Sequence, residues 1–206
     1  MLAFGLNAKE FNNLLSKGWR RFGVYFFKPS CMKCFQCIPI RIKVKDFTPS
    51  KSQKRVIKNN KDTRVVINKL NFKKQIFEIY KEHSYDRFGQ SSSIEDFKNT
   101  FFINAVPACQ SEYYINNKLV AIGFIDISSN ALSSVYFIYK SEYKYLSLGV
   151  FGAIKEIEYA KSLKLKYYYL GYYIKDNHRM SYKNKFNPYE LYDWHRNKWQ
   201  SIINTK

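Results

Sequence analysis

Cys31, Cys34 and Cys37 form a Cys-x-x-Cys-x-x-Cys run, and thiolates at that spacing are the ligand pattern of zinc and iron–sulfur sites. A ferredoxin-type run continues with a fourth cysteine after three further residues, but that position is Arg41. Closing a four-thiolate site therefore calls for Cys109, a histidine or a cysteine from elsewhere. Beyond the run, Lys51, Lys54, Arg55 and Lys58 recur at three- and four-residue spacing. On a helix that spacing lays down one positive stripe, a polyanion footprint. Gln53, Asn59 and Asn60 are interleaved with it, and Arg20 and Arg21 precede the cysteines. The three histidines, His83, His178 and His195, make no evident Ser-His-Asp arrangement.

These groups belong to a chain of 206 residues that is 46% hydrophobic, enough to bury a real core and too apolar for a disordered tail. Thirty-five Lys and Arg against 16 Asp and Glu leave a formal charge of +19, which points to a polyphosphate or anionic-membrane partner, nucleic acid first. The abundance of Lys, Asn, Ile and Tyr has a second source in AT-rich coding composition. No apolar run approaches the ~18 residues that cross a bilayer. The N-terminus lacks the basic start, apolar stretch and cleavage site of a secretory signal. Four cysteines, three of them in one run, are not a secreted disulfide framework. The expected setting is cytoplasmic and reduced, without a membrane partner.

The elements that position the groups follow from periodicity. Phe11, Leu14 and Leu15 give a helix that stops at Gly18. Crowded aromatics from Trp19 to Phe27 favour a strand, closed by Pro29. Ile38–Phe47 alternates Ile40, Ile42 and Val44 with Arg41, Lys43 and Lys45, the pattern of a half-buried strand with one basic face. Thr48–Asn60 reads as a loop entering the basic helix. Val65–Leu70 is a strand, Lys73–His83 a helix, and Ser93 caps a helix over Ile94–Phe102. Three strands then follow, Cys109–Ile115, Lys118–Ser128 and Leu132–Tyr139, with a tight turn at Asn116-Asn117. A helix over Leu148–Ser162 and a strand over Tyr167–Tyr173 complete an α+β layer with a mainly antiparallel sheet. Residues 1–70 form a Cys-containing basic region and residues 71–206 a second region.

Four blocks in order carry a family resemblance: GWRRFG with KPSCMKCFQCIPIRI (18–23, 28–42), SKSQKRVIKNN (50–60), LSSVYFIYKSEYKYLSLGVFGAIKEIEYAK (132–161) and YYYLGYYIKDNHRMSYKNKFNPYELY (167–192). On these the chain resembles the aminoacyl-tRNA–protein transferases, in the bacterial aspartate/glutamate leucyltransferase branch related to eukaryotic arginyl-transferase. Family members carry a longer N-terminal stretch with a further cysteine. Here Arg87-Phe88 and Lys140-Ser141 stand where the family often has Arg-His and Asp-Pro. The resemblance implies a second half folded like the acyl-CoA N-acetyltransferases (GNAT-like).

It also implies a reaction: an amino acid, leucine first and arginine as runner-up, moves from aminoacyl-tRNA to the α-amino group of proteins with N-terminal Asp or Glu, marking them for degradation. No cofactor is needed for that chemistry, with zinc or iron–sulfur reserved for the cysteine run. Under this reading Arg20, Arg21, Lys51, Lys54, Arg55 and Lys58 take acceptor-stem phosphates, and Ser147, Leu148 and Gly149 open a helix onto the terminal phosphate. Tyr136, Tyr139, Tyr169, Tyr172 and Tyr182 are candidates to stack the 3′ bases. Arg41, Arg87, Arg179 and Lys183 are candidates to bind the acidic side chain, and Glu190 or Asp126 to accept the amine's proton. The competing readings are an inactive RNA-binding module and a small-molecule N-acetyltransferase. Against the latter, the sequence has no Q/R-x-x-G-x-G/A pyrophosphate loop. Oligomeric state is not legible.

Overall fold

In the computed structural model, which describes Leu2 and residues 5–202, the alternating and apolar runs of the second half become three long strands. These are β5 (Ala108–Ile115), β6 (Lys118–Ile127) and β7 (Ala131–Tyr139). β5 and β6 turn through Asn116 and Asn117, both at positive φ, which a two-residue type I′ hairpin requires and asparagine tolerates. The chain then crosses through α5 (Leu148–Ser162) to β8 (Tyr167–Tyr173), which pairs parallel with β7. β3 (Ile38–Lys43) fits antiparallel between β8 and β9 (Tyr189–Asp193). With β10 (Lys198–Ile202) and β4 (Arg64–Lys69) at the edges, the eight-stranded order is β10-β9-β3-β8-β7-β6-β5-β4. Only β7–β8 is parallel, so the mainly antiparallel α+β expectation holds.

Alternation sends successive side chains of β6 to opposite faces. On one face α5 packs Ala153, Ile154, Ile157 and Ala160 against Ile40, Ile42, Leu132 and Tyr168. α2 (Lys51–Asn59) lies beside α5, with Val56 and Ile57 turned to the core and its start closed by a Ser50–Gln53 capping box. On the other face α3 (Lys74–Phe88) and α4 (Ile94–Phe101) bring Ile76, Ile79, Phe97 and Phe101 onto Ile122, Phe124 and Ile138. α1 (Ala8–Ser16) adds Phe11 and Leu15, packed with Phe26 and Tyr169.

Some expectations are corrected. The aromatic stretch Trp19–Phe27 is not one strand but a hairpin, β1 (Arg20–Phe22) and β2 (Tyr25–Phe27), because Gly23 turns the chain at positive φ and its N–H bonds Thr100 O. β3 has no solvated basic face: it is a central strand, and Arg41 is buried. α3 runs past His83 to Phe88, where Gly89 ends it in the left-handed conformation. The intimately packed regions 1–70 and 71–206 both contribute to the large sheet, β3 and β4 coming from the first, which is no correction of that division. Cys31, Cys34 and Cys37 lie in the irregular connection between β2 and β3.

Candidate active site at the split between the parallel strands

β7 and β8 are paired only through Ala131–Ser133 and Tyr167–Tyr169. Beyond that point Ser134–Tyr139 has no partner in β8, and Leu170–Tyr173 none in β7, so the sheet splits. Both strands are irregular at the split. Val135 is passed over in the β6–β7 register, and Leu170 in the β3–β8 register. Gly171 follows at φ +92, a conformation that L side chains avoid. Backbone carbonyls freed by a split need donors, and two cations supply them. Arg20, from β1, donates to Ser133 Oγ at 2.8 Å and to the Ser134 carbonyl. Lys183, from the turn after α6 (His178–Ser181), donates to the Tyr172 carbonyl at 2.7 Å.

Neither cation has a hydrogen-bonded carboxylate among the described residues. Burial pushes Lys183 down to about 7, with the positive charge of Arg20 adding to the effect. A chain of rings runs from β7 to β8 across the hairpin that carries Arg20. Tyr136 stacks on Phe101, Phe101 meets Phe22 edge-on, Phe22 stacks on Phe27, and Phe27 lies 6.4 Å from Tyr172. Burial pushes Tyr136 and Tyr172 up to about 12, so both phenols stay neutral at physiological pH. Behind the split, on the α5 side, Glu156 is fully buried and accepts from Tyr168 Oη at 2.6 Å. Burial lifts it to about 7 against the hydrogen bonds of Tyr168, Ser134 and Ser111.

The sequence candidates separate into three groups. Lys51, Lys54, Arg55 and Lys58 are exposed on α2, and Asn60 at the end of α2 bonds the Leu146 carbonyl at 2.8 Å. That bond sets the basic stripe beside Ser147, the exposed left-handed residue that opens α5 ahead of Leu148 and Gly149. Tyr136, Tyr139, Tyr172 and Lys183 gather around the split. Arg87 and Arg179 stand at its rim, joined by an Arg179 Nη1 bond to the Arg87 carbonyl.

The third group is engaged elsewhere. Arg21 is buried against Asp126 in a two-point ion pair and also reaches Asn104. Asp126 therefore holds β1 to the sheet rather than standing free as a base. Arg41 pairs with Glu190 at 2.6 Å and lies between the Tyr167 and Trp199 rings. Burial acts to raise Glu190, but Arg41 and then Lys43 hold it below the usual carboxylate range. A carboxylate so held is a poor proton acceptor, and Arg20, Arg21 and Arg41 are too buried to form a phosphate-facing surface. Tyr169 adds its ring to the same cluster, 5.5 Å from Trp199, and its hydroxyl accepts from Arg41 Nη1 at 3.1 Å.

Cys31 and Cys34 are exposed and Cys37 half-buried. Cys109 is buried under α5 in the core, its thiol pushed up to about 12 by burial, so it is not the fourth member of the run. His195 is the histidine near the run, 4.6 Å ring to ring from Phe35. Among the described residues, however, no group of three or more His, Cys, Asp or Glu is disposed to hold a metal ion. Sequence reasoning also missed Ser133, Ser134, Gly171 and Glu156. Of these, Glu156 left a signal: it shares a helical face with Ala153, Ile157 and Ala160, where a carboxylate is out of place.

A split parallel pair in a mainly antiparallel sheet, with a helix starting beside the split, is a GNAT-like fold. FemX has this fold at TM-score 0.56 and 10% identity, covering 85% of this chain and 64% of that one. L-PGS from Bacillus licheniformis has it at 0.55 and 13%, covering 91% and 61%. Within that class the sequence is decisive. Residues 73–193 match the arginine-tRNA-protein transferase C-terminus model and residues 3–55 the N-terminus model. An aspartate/glutamate leucyltransferase of Campylobacter jejuni is 36% identical over 196 residues, 89% of this chain and 80% of its own length. Those of Helicobacter hepaticus and Pseudomonas aeruginosa are 35% and 30% identical, over 77% and 81% of their lengths and 86% and 91% of this chain. The chain belongs to the arginine-tRNA-protein transferase family.

Proposed function

We propose that this chain transfers leucine from aminoacyl-tRNA to the α-amino group of proteins whose first residue is Asp or Glu, creating a degradation signal. The observation that carries the reading is the split itself: two buried cations hydrogen-bonded, among the described residues, only to neutral acceptors, in a member of this family. The donor is an activated ester, and an α-amino group has a pKa near ~7.7–8.0, so much of it is already nucleophilic at neutral pH. The protein's task is to align amine and carbonyl and to stabilise the developing oxyanion. In this reading Arg20 supplies the fixed positive charge for that oxyanion. No metal or cofactor is required for these steps.

In this reading the exposed α2 stripe takes the phosphates of the acceptor arm. The start of α5, at Ser147–Gly149, takes the terminal phosphate through free amides. Tyr136, Tyr139 and Tyr172 stack or line the 3′ end, and Arg87 and Arg179 meet the acidic side chain of the acceptor. Leucine is favoured over arginine by the names of the relatives above. A cytoplasmic setting goes with tRNA as donor, and among the described residues no helix is long and apolar enough to cross a membrane.

The test is transfer of labelled leucine or arginine from charged tRNA to peptides beginning Asp, Glu or Lys. Leucine on the Asp and Glu peptides is the expected result. Arginine alone would make it an arginyltransferase, transfer only to the Lys peptide would remove the acidic acceptor, and no transfer at all would leave an RNA-binding module.

A further inference from the structure

Lys183 is the one lysine among the described residues that is buried, with 8% of its surface exposed. Its hydrogen bonds go to the Tyr172 carbonyl and, at 3.6 Å, to Met180 Sδ. The groups facing it are the Arg20 guanidinium from β1, the Tyr172 carbonyl and Gly171 from β8, and Met180 from α6. No carboxylate is among them: Asp126 is turned to Arg21, and Glu156 is bonded to Tyr168 on the α5 side. A Cβ added to Gly171 would stand 3.4 Å from Lys183 Nζ and 3.5 Å from Arg20 Nη2. The missing side chain thus leaves an atom-sized point onto which both cations look.

We propose that Lys183 takes the proton from the attacking α-amino group and returns it to the ribose oxygen that leaves. The inference rests on the transfer reading above. The amine nitrogen bonds to the ester carbonyl carbon and its proton passes to Nζ. The carbon–oxygen bond to the ribose then breaks, and the ammonium of Lys183 protonates that oxygen, so Lys183 ends as it began. Of the two cations only Lys183 can do this, because a guanidinium keeps its protons. Burial beside a fixed positive charge leaves the Lys183 amine near half-protonated at neutral pH, the condition in which one group serves as both base and acid.

The experiment measures leucine transfer to an Asp-initiated peptide with Lys183→Met and Lys183→Arg, alongside thermal melts. General acid–base roles are worth ~10²–10⁴-fold, so both variants are expected to lose at least about 100-fold in kcat, with KM little changed. A small primary amine in the buffer is expected to restore part of the Lys183→Met rate. In the wild type, the acid limb of log kcat/KM falls with slope two, for the peptide amine and Lys183; in Lys183→Met it falls with slope one. Lys183→Arg as active as wild type would reduce Lys183 to a fixed charge. Lys183→Met within about threefold of wild type, or a slope still at two, would overturn the proposal outright. Should Lys183→Met melt out, Lys183→Arg and the wild-type slope decide. Wild type that transfers nothing would instead overturn the function itself.

Discussion

Gly171 is the residue at which backbone and chemistry meet. An alanine there would be forced to φ +92, a left-handed conformation costing roughly 1–2 kcal/mol, and its methyl would occupy the point in contact with both Lys183 and Arg20. Gly171→Ala is therefore expected to lower Tm by roughly 2–8 °C and to cut transfer far more than that loss of stability explains. A melt and a single-turnover assay on one preparation separate the two effects. Normal turnover would show that the point beside Lys183 is not used. The cysteines differ by burial in the same residue-by-residue way. Cys31 and Cys34 are exposed, Cys37 is raised by burial and then by its two neighbours, and Cys109 is buried near 12. Thiolate fraction and access control reactivity, so a disulfide reagent should titrate two thiols quickly, a third slowly and the fourth only on unfolding. Fast labelling of all four in the native protein would contradict the buried position of Cys109.

At the scale of elements, α2 carries charge without using it for packing. Its buried residue is Gln53, bonded to the Lys185 carbonyl, while the lysines face solvent. Binding through such a stripe releases counterions, so replacing Lys54 and Lys58 by alanine should reduce the salt slope of tRNA binding by about one per lost phosphate contact. Filter binding across a range of salt concentrations reads that slope directly, and an unchanged slope would move the tRNA off α2. The hairpin β1–β2 depends on a different device, the buried Arg21–Asp126 pair. Asp126→Ala leaves a buried guanidinium unmatched and should cost about 3–5 kcal/mol, measured by urea unfolding. The α2 stripe and the strands β5–β7 were legible because their information is local: three- and four-residue spacing, alternation, an Asn-Asn turn. The split was not. Arg41 alternates like a solvent-facing residue, yet Glu190 and Trp199, far along the chain, cover it. Arg20 and Lys183 likewise become neighbours only when β1 and the turn after α6 meet at β8, a contact no window of sequence contains.

Across the whole molecule, the same burial that shapes the site writes a pH profile into stability. Glu156 has an ordinary pKa of 4.5 and about 7 in the fold, raised by burial. The native state keeps its proton where the unfolded chain has lost it. The stabilising share of Glu156 is therefore complete below about 4.5 and is lost as pH rises through 7. A shift of that size caps the loss at about 3 kcal/mol. Lys183 runs the other way. Its ordinary value of 10.5 falls to about 7 in the fold, so its share is complete above 10.5 and is lost as pH falls toward 7. Glu112 and Glu190 are held low by their partners; their shares are present above the ordinary carboxylate value and disappear only in acid, outside this window. His83, pushed from 6.5 down to about 4 chiefly by burial, loses its share as pH falls through that range and so opposes the Glu156 limb between about 4.5 and 6.5. Stability is expected to stay nearly level from pH 5 to 7 and to rise from pH 7 to 9 on the Lys183 limb. Urea midpoints at pH 5, 7 and 9 test it: Glu156→Gln should leave the His83 limb unopposed, a rise in stability from pH 5 to 7, and Lys183→Met should flatten the alkaline side. Each variant should leave the other's limb in place, because the two groups share no hydrogen-bond partner. A Glu156→Gln profile as level from pH 5 to 7 as that of wild type would show that the carboxyl is charged in the fold, with a counterion the structure does not give it.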